Sequence, residues 1–520
     1  MKFEDNDLEV IDDVEEETKV DSSKIEKEID DHIHKELDTS KLLPQENNSN
    51  LEKVRNKQKR NNLLFISSIV GLSAFLFGMI GGYAYGNSVN KITDPDLIKI
   101  IECYETLSSG WYYGKTQDDV TNIVTDIMIN SFQTVDKYTF VTPSMSDQNL
   151  DMDGTGLGVE TLFVPDGIML TSVYSDGAMA KKGAQKGDVI TKIKVDDTEY
   201  ELKNKSFKEI SEIASSAMKK ESTYYIDRNG VELEYVVSKS YFNADTAWLV
   251  RKDNVDGKNT LTIRIDSFLG NPYDEVVKIL DAETKIDTLI IDLRNNTGGY
   301  LNQMLLISCL FAKKGDVIYG IKDKNGNIIE KGVQKQNPKY DISNIKILQN
   351  GMSASASEAL SLSLIQNNDA KTYGFTSYGK GIAQTFFTFN DNSVLRYTYG
   401  KVFGPDLEES IHEVGIKADF DSSKYYMDTP FYYNQCVFSN DDYMDYLSYI
   451  YENLSYLGYN KPINPEGDLM GIINRFQTDY GYTVSSIYDD EVSKQIMFET
   501  YKKIQENMEN ELERVVFDRY

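Results

Sequence analysis

IKILQNGMSASASEAL, residues 345–360, runs from an apolar segment through a glycine turn into three serines at alternate positions. The short apolar run ending at Gln349-Asn350-Gly351 reads as a buried strand, and the stretch from Ala356 to Gln366 reads as a helix. A strand that feeds a helix through a tight turn belongs to an α/β architecture. The turn also has chemical meaning, because a hydroxyl at a helix N-terminus lies beside backbone N–H groups that can hold a developing oxyanion. The small alanines would let a substrate approach closely. Ser355-Ala356-Ser357-Glu358 equally fits the S-x-x-E capping box, which any helix can use. Partners elsewhere in the chain must decide between the two readings.

Outward from this stretch, residues 241–425 alternate nearly continuous apolar runs with helical patterns, as packed sheet and helices require. Upstream, residues 150–240 carry short β-runs with two helices, the size of one small module. Before that module, residues 93–143 read as a pair of amphipathic helices closing in Asp136-Lys137-Tyr138-Thr139. Residues 440–510 turn helical and tyrosine-rich and read as a separate small domain. The expected fold class is therefore multidomain α/β.

Leu63 to Tyr85 contains no charged residue, and about 20 such residues span a bilayer. It follows some sixty polar residues, so it reads as a retained single transmembrane helix and not as a cleaved signal. Lys53, Arg55, Lys57, Lys59 and Arg60 crowd its N-terminal side. The positive-inside rule then puts the N-terminus in the cytoplasm and everything beyond residue 86 outside, on a cell-membrane anchor. Residues 1–60, acidic and poor in aromatics, read as a disordered tail. A net charge of −28 with no basic stripe beyond residue 60 excludes nucleic acid as a partner. Cys103, Cys309 and Cys436 are too far apart for a zinc site or a disulfide framework, so no metal and no cofactor is expected.

If one serine is a nucleophile, its base must be found among few candidates. The chain has only His32, His34 and His412. The first two lie in the tail, and His412 sits in a polar stretch. A lysine serves when burial leaves its amine neutral near working pH, and Lys380 in Ser377-Tyr378-Gly379-Lys380-Gly381 is flanked by glycines that allow tight turns. It could also be an ordinary solvated lysine. A third feature is Asp292-Leu293-Arg294-Asn295-Asn296-Thr297-Gly298-Gly299, a glycine turn after an apolar strand, where α/β sites usually lie.

Together, residues 290–299, 347–360 and 377–384 resemble the C-terminal processing peptidases, serine proteases that use a Ser-Lys dyad. The resemblance covers roughly 95–422. It implies that Ser355 is the nucleophile, Lys380 the general base and Gln384 a residue that helps position the lysine, with the N–H groups of Gly299 and Ala356 as oxyanion donors. Thr297 stands where the family often has proline, and permits the same turn. Residues 154–240 resemble the family's PDZ domain, with Gly156-Leu157-Gly158 as the loop that grips a substrate C-terminus and the next strand adding the substrate by β-augmentation. The helices at 94–135 resemble a region that often mediates dimers, which implies a homodimer or higher oligomer. Phe476-Gln477 followed by Gly481 is similar to the small peptidoglycan-binding domain, although the glycine usual after Val484 is missing. The implied function is a membrane-anchored extracytoplasmic serine endopeptidase acting on proteins and peptides with free C-termini, with peptidoglycan as a further partner. Two alternatives are a catalytically inactive PDZ and cell-wall-binding adaptor, and a Ser-His hydrolase working through His412.

Overall fold

The computed structural model describes residues 8–10, 95–110, 124, 131–142, 154–389, 392–431, 433, 443–459, 469–484 and 489–520. The expected span at 63–85, most of the acidic tail with His32 and His34, and Cys436 lie outside them. Among the described residues no helix is long and apolar enough to cross a membrane. The chain divides into two units, residues 14–139 and the remainder. The first contains α1 (Pro95–Gly110), which carries an exposed Cys103. It ends in a turn where the Asp136 carboxylate accepts the Tyr138 N–H at 3.0 Å and the Thr139 hydroxyl at 2.6 Å.

In the second unit, β1 (Val159–Val164), β2 (Gly167–Val173), β3 (Val189–Val195), β4 (Ser222–Arg228) and β5 (Val231–Val237) form an antiparallel sheet in that order. Helix α2 (Phe207–Ala217) starts at a Ser206–Glu209 capping box and buries Phe207 and Ile210. The other expected helix, near 178–183, is a single 3-10 turn at Ala180–Lys182, closed by Gly183 at φ 92°.

The larger part runs β6 (Ala247–Val255), β7 (Lys258–Ile265), α3 (Pro272–Asp281), β8 (Thr288–Asp292), α4 (Leu301–Cys309), β9 (Val317–Lys322), β10 (Ile328–Gln334), β11 (Ile345–Gln349), α5 (Ala356–Asn368), β12 (Lys371–Gly374), β13 (Ile382–Thr388), β14 (Val394–Phe403) and β15 (Phe420–Asp421). One sheet has the order β6-β7-β8-β11-β12-β15, antiparallel only between β6 and β7. A second, antiparallel sheet contains β10-β9-β14-β13. The edge strand β10 takes on Leu8–Val10 as an antiparallel partner. That pairing and an N-terminus held across a membrane are alternatives for one molecule.

Every residue of β8 and β11 is buried, and a parallel sheet must be covered on both faces. On one face Leu289, Ile291 and Ile347 pack with the helices between the strands. On the other, Ile290, Leu348 and Tyr373 pack against Leu512, Val515 and Val516. These last three belong to the C-terminal helix, which follows α6 (Tyr443–Leu457) and α7 (Leu469–Asp479) and is α8 (Asp490–Val516). The lysine inside β11 is satisfied by the same helix end: buried Lys346 donates to the Val515 carbonyl at 2.9 Å and pairs with Asp518. The N-terminal half of α8, with α6 and α7, shares a hydrophobic cluster with Leu162, Val164, Met169 and Phe207 of the small module. The C-terminal helices are thus continuous with both neighbours.

Leu512→Ala is expected to lower the stability of the parallel sheet by about 2–5 kcal/mol, read as a shifted urea midpoint at unchanged slope by circular dichroism. An unmoved midpoint would make α8 an appendage.

Candidate active site

Three serines leave β11, and their surroundings separate them. The Ser353 hydroxyl donates to the Leu293 carbonyl at 2.8 Å, and that of Ser357 to the Asn296 carbonyl at 2.9 Å; both side chains are buried. They tie the helix start to the 292–299 turn. Ser355 is half-buried and has φ 59° and ψ −117°, a backbone region that costs a non-glycine residue on the order of 1–3 kcal/mol and is found where a site needs it. A sharp strand-to-helix turn of this kind holds a nucleophile's hydroxyl out of the sheet.

Ser355 is tied to the lysine segment by Glu358. This side chain, 1% exposed, takes the Ser355 N–H at 2.9 Å on one oxygen, as half of a capping box. On the same oxygen it takes the Lys380 N–H at 2.9 Å, and on the other the Gly379 N–H at 2.7 Å and the Ser377 hydroxyl at 2.5 Å. Burial raises the Glu358 carboxyl above its ordinary range, against the pull of these four donors. The Tyr378 N–H adds a bond to the Ser353 carbonyl at 3.0 Å. Ser355 and Lys380, 25 positions apart in sequence, are thereby held on one carboxylate. The S-x-x-E spacing marks Glu358 only as a cap; its bonds to Ser377, Gly379 and Lys380 leave no mark in the sequence.

The glycine turn meets the same point. A Cβ on Gly298, at φ 103°, would lie 2.7 Å from the Ala354 carbonyl oxygen and 2.8 Å from the Ser355 Cβ. The turn is held by Asn296, whose carbonyl accepts the Ala354 N–H at 2.9 Å and whose side chain accepts the Gly298 N–H at 2.8 Å. Among the described residues, no group accepts the N–H of Gly299 or of Ala356. Two unspent amides beside a serine hydroxyl are what an oxyanion hole requires.

Gln384, on β13, accepts from Arg396 Nη2 at 2.6 Å. His412 packs its backbone on Gly381 and its Nε2 lies 3.9 Å from Glu413. Gly156, Leu157 and Gly158 lie in the small module. Gly158, at φ 72°, packs on Gly177, and the Leu157 and Gly158 carbonyls accept the N–H groups of Met179 and Tyr174. Gly156 pairs with Ser240 in a short antiparallel ladder. No group of metal-ligating side chains occurs among the described residues.

An open cavity of about 540 Å³ adjoins the two loops, lined by Met352, Tyr378, Met427, Phe431 and Tyr451 among others. Asp428 on its wall accepts the Gly351 N–H at 2.9 Å, and burial pushes its carboxyl up to about 6.

Strand-end serine, lysine loop and glycine turn at the C-terminal ends of a parallel sheet define a serine-peptidase core. The sequence profile of Peptidase family S41 matches residues 259–422, the stretch that holds all three of these segments. A probable CtpA-like serine protease of Staphylococcus aureus (strain bovine RF122 / ET3-1) is 29% identical over 406 residues, 75% of this chain and 78% of that protein. Its counterpart in Staphylococcus haemolyticus (strain JCSC1435) is 26% identical over 475 residues, 87% and 93%. Among solved structures, the photosystem II D1 C-terminal processing protease aligns with a TM-score of 0.38 at 19% identity, over 62% of this chain and 86% of that one.

Gly298→Ala is expected to lower kcat about 100-fold, because the new methyl must displace the Ser355 backbone; unchanged kcat would remove the turn from the site. The raised pKa of Asp428 favours its protonated form in the fold. It therefore contributes stability in acid that is lost as the pH rises from the ordinary aspartate range to about 6. Lowering the pH from 7.5 to 5 is expected to raise the melting temperature of the parent relative to Asp428→Asn; parallel curves would contradict this.

Proposed function

We propose that this protein is a membrane-anchored extracytoplasmic serine endopeptidase with a Ser355–Lys380 dyad. The observation that carries the reading is the single buried carboxylate of Glu358 on which the backbone of Ser355 and of Lys380 converge. With the Lys380 amine in its neutral form, the Ser355 hydroxyl gives up its proton to Nζ while Oγ attacks the scissile carbonyl. The oxyanion forms at the N–H groups of Gly299 and Ala356. Lys380 returns the proton to the departing amine, leaving an acyl-enzyme, and then takes a proton from the water that releases it. Gln384 serves to position the lysine segment through β13.

The small module acts as a PDZ domain, gripping a substrate C-terminus with the amides of the 156–158 loop and pairing it along β1. The aromatic and thioether side chains around the cavity suit an apolar stretch of that substrate. The 63–85 segment anchors the chain, the 93–143 helices pair two copies, and the C-terminal helices contact peptidoglycan. In the anchored protein β10 is a free edge.

The full-length chain in detergent is expected to cleave an unstructured protein with an apolar C-terminus. Ser355→Ala should lower kcat by at least about 10³-fold and Lys380→Ala by about 10²–10⁴-fold. If the parent itself fails to cleave even with excess C-terminal peptide, the protein is an adaptor on a protease-like core. Activity lost in His412→Ala but kept in Lys380→Ala would move the base to His412.

A further inference from the structure

The 292–299 turn, which carries Gly298 and Gly299, is anchored by a side chain that no part of the serine-lysine chemistry requires. Arg294 is 2% exposed. Its guanidinium forks onto both oxygens of Asp292, with Nε to Oδ1 at 2.9 Å and Nη2 to Oδ2 at 2.7 Å. Its remaining arm, Nη1, reaches α8, where it donates to Glu511 Oε2 at 2.8 Å and to the Met508 carbonyl at 2.8 Å. Glu511 is 4% exposed. Its second oxygen accepts the hydroxyl of Ser422, which directly follows the edge strand β15.

The charge balance gives Glu511 its weight. Asp292 faces a second guanidinium, Arg264 Nη1, at 3.4 Å, and Arg264 is otherwise paired with Asp266 at 2.6 Å. Burial works against the charge on Asp292, but Arg294 and Arg264 outweigh it and hold the carboxyl below its ordinary range. Asp292 is thus shared between two cations, and Glu511 supplies the carboxylate that completes Arg294. Removing one partner of such a buried set leaves a charge uncompensated.

From Arg294 the route to the reacting serine is short. The Arg294 carbonyl accepts from Arg264 Nη2 at 2.8 Å. Asn295, in the left-handed region at φ 62°, donates its N–H to Asn350 Oδ1 at 2.9 Å. Asn296 then holds the Ala354 N–H and the Ser357 hydroxyl on its carbonyl. Gly298 and Gly299 follow after Thr297, packed on Ser355 and on Phe268.

We propose that Glu511, on the C-terminal helix, is a positioning residue for catalysis at Ser355. Through Arg294 it fixes the turn that carries the oxyanion donor, and this makes α8 part of the catalytic unit. The proposal rests on the serine-peptidase reading, and its test separates the two. The full-length chain in detergent is compared as parent, Ser355→Ala, Glu511→Gln, Glu511→Ala and Gln505→Ala. Gln505 lies on the same helix and its side chain accepts from Lys186 Nζ of the small module at 2.8 Å. Cleavage of the unstructured protein is resolved into kcat and KM, and amide hydrogen exchange is followed across residues 293–300.

Glu511→Ala is expected to lower kcat about 100-fold and Glu511→Gln about 10-fold, with KM held within about 2-fold, since a misplaced site costs rate while the substrate contacts remain. Exchange in the turn should rise at least about 10-fold in Glu511→Ala but not in Gln505→Ala, as expected for local opening. If Glu511→Ala does not fold, the isosteric Glu511→Gln decides alone. Unchanged kcat, or unchanged exchange at 293–300, overturns the proposal. A parent that does not cleave overturns the peptidase reading, and the exchange data still decide whether Glu511 positions the turn.

Discussion

One buried carboxylate accounts for the geometry of the candidate site. Glu358 sits in the first turn of α5 and accepts four donors from two chain segments: the amides of Ser355, Gly379 and Lys380 and the hydroxyl of Ser377. A carboxylate has about four acceptor positions, so this one is saturated. Because it holds backbone amides, it sets where the chain runs at both Ser355 and Lys380, and the side chains follow from that. The strained backbone of Ser355 persists with its N–H held in this way on one side and Gly298, where a Cβ would not fit, packed beside it on the other. Neighbouring serines take the tethering work: Ser353 and Ser357 bind the turn at Leu293 and Asn296, leaving Ser355 as the half-buried member of the three.

A second constraint acts on the sheet beneath. Strands β8 and β11 are buried on both faces, and the helices between the strands cover only one of them. The C-terminal helix covers Ile290, Leu348 and Tyr373 on the other. The same helix accepts from Lys346 inside β11 on the Val515 carbonyl and pairs Glu511 with Arg294 just past β8. At roughly 1.5 Å per residue its 27 residues extend about 40 Å, enough to reach the small module with its first half. The segment that closes the hydrophobic core therefore also touches the polar network behind the 292–299 turn.

Much of this was legible in the residues. The apolar runs at 288–292 and 345–349, the S-x-x-E at a helix start and the glycines at 298–299 and 379–381 mark strands, a helix cap and tight turns, and their local chemistry alone is enough to place them. Helices at 207–217, 301–309 and 356–368 lie where periodicity and capping put them. The expected helix near 178–183 shrank to a 3-10 turn, because a glycine at φ 92° ends it after three residues. The S41 match at 259–422 coincides with the segment whose motifs carried the resemblance.

What the sequence by itself determined is the set of parts: a serine at a strand-to-helix turn, a lysine between glycines, a glycine turn after an apolar strand, and a tyrosine-rich helical end. These depend on interactions within a few residues, which composition and spacing record. Only the tertiary structure decided which serine is held in strained backbone, that Glu358 serves two loops, and that Glu511 lies on Arg294 although 217 positions separate them. Hydrogen bonds and ion pairs between distant segments leave no periodicity in the chain, so they become visible only when the fold brings their partners within about 3 Å of one another.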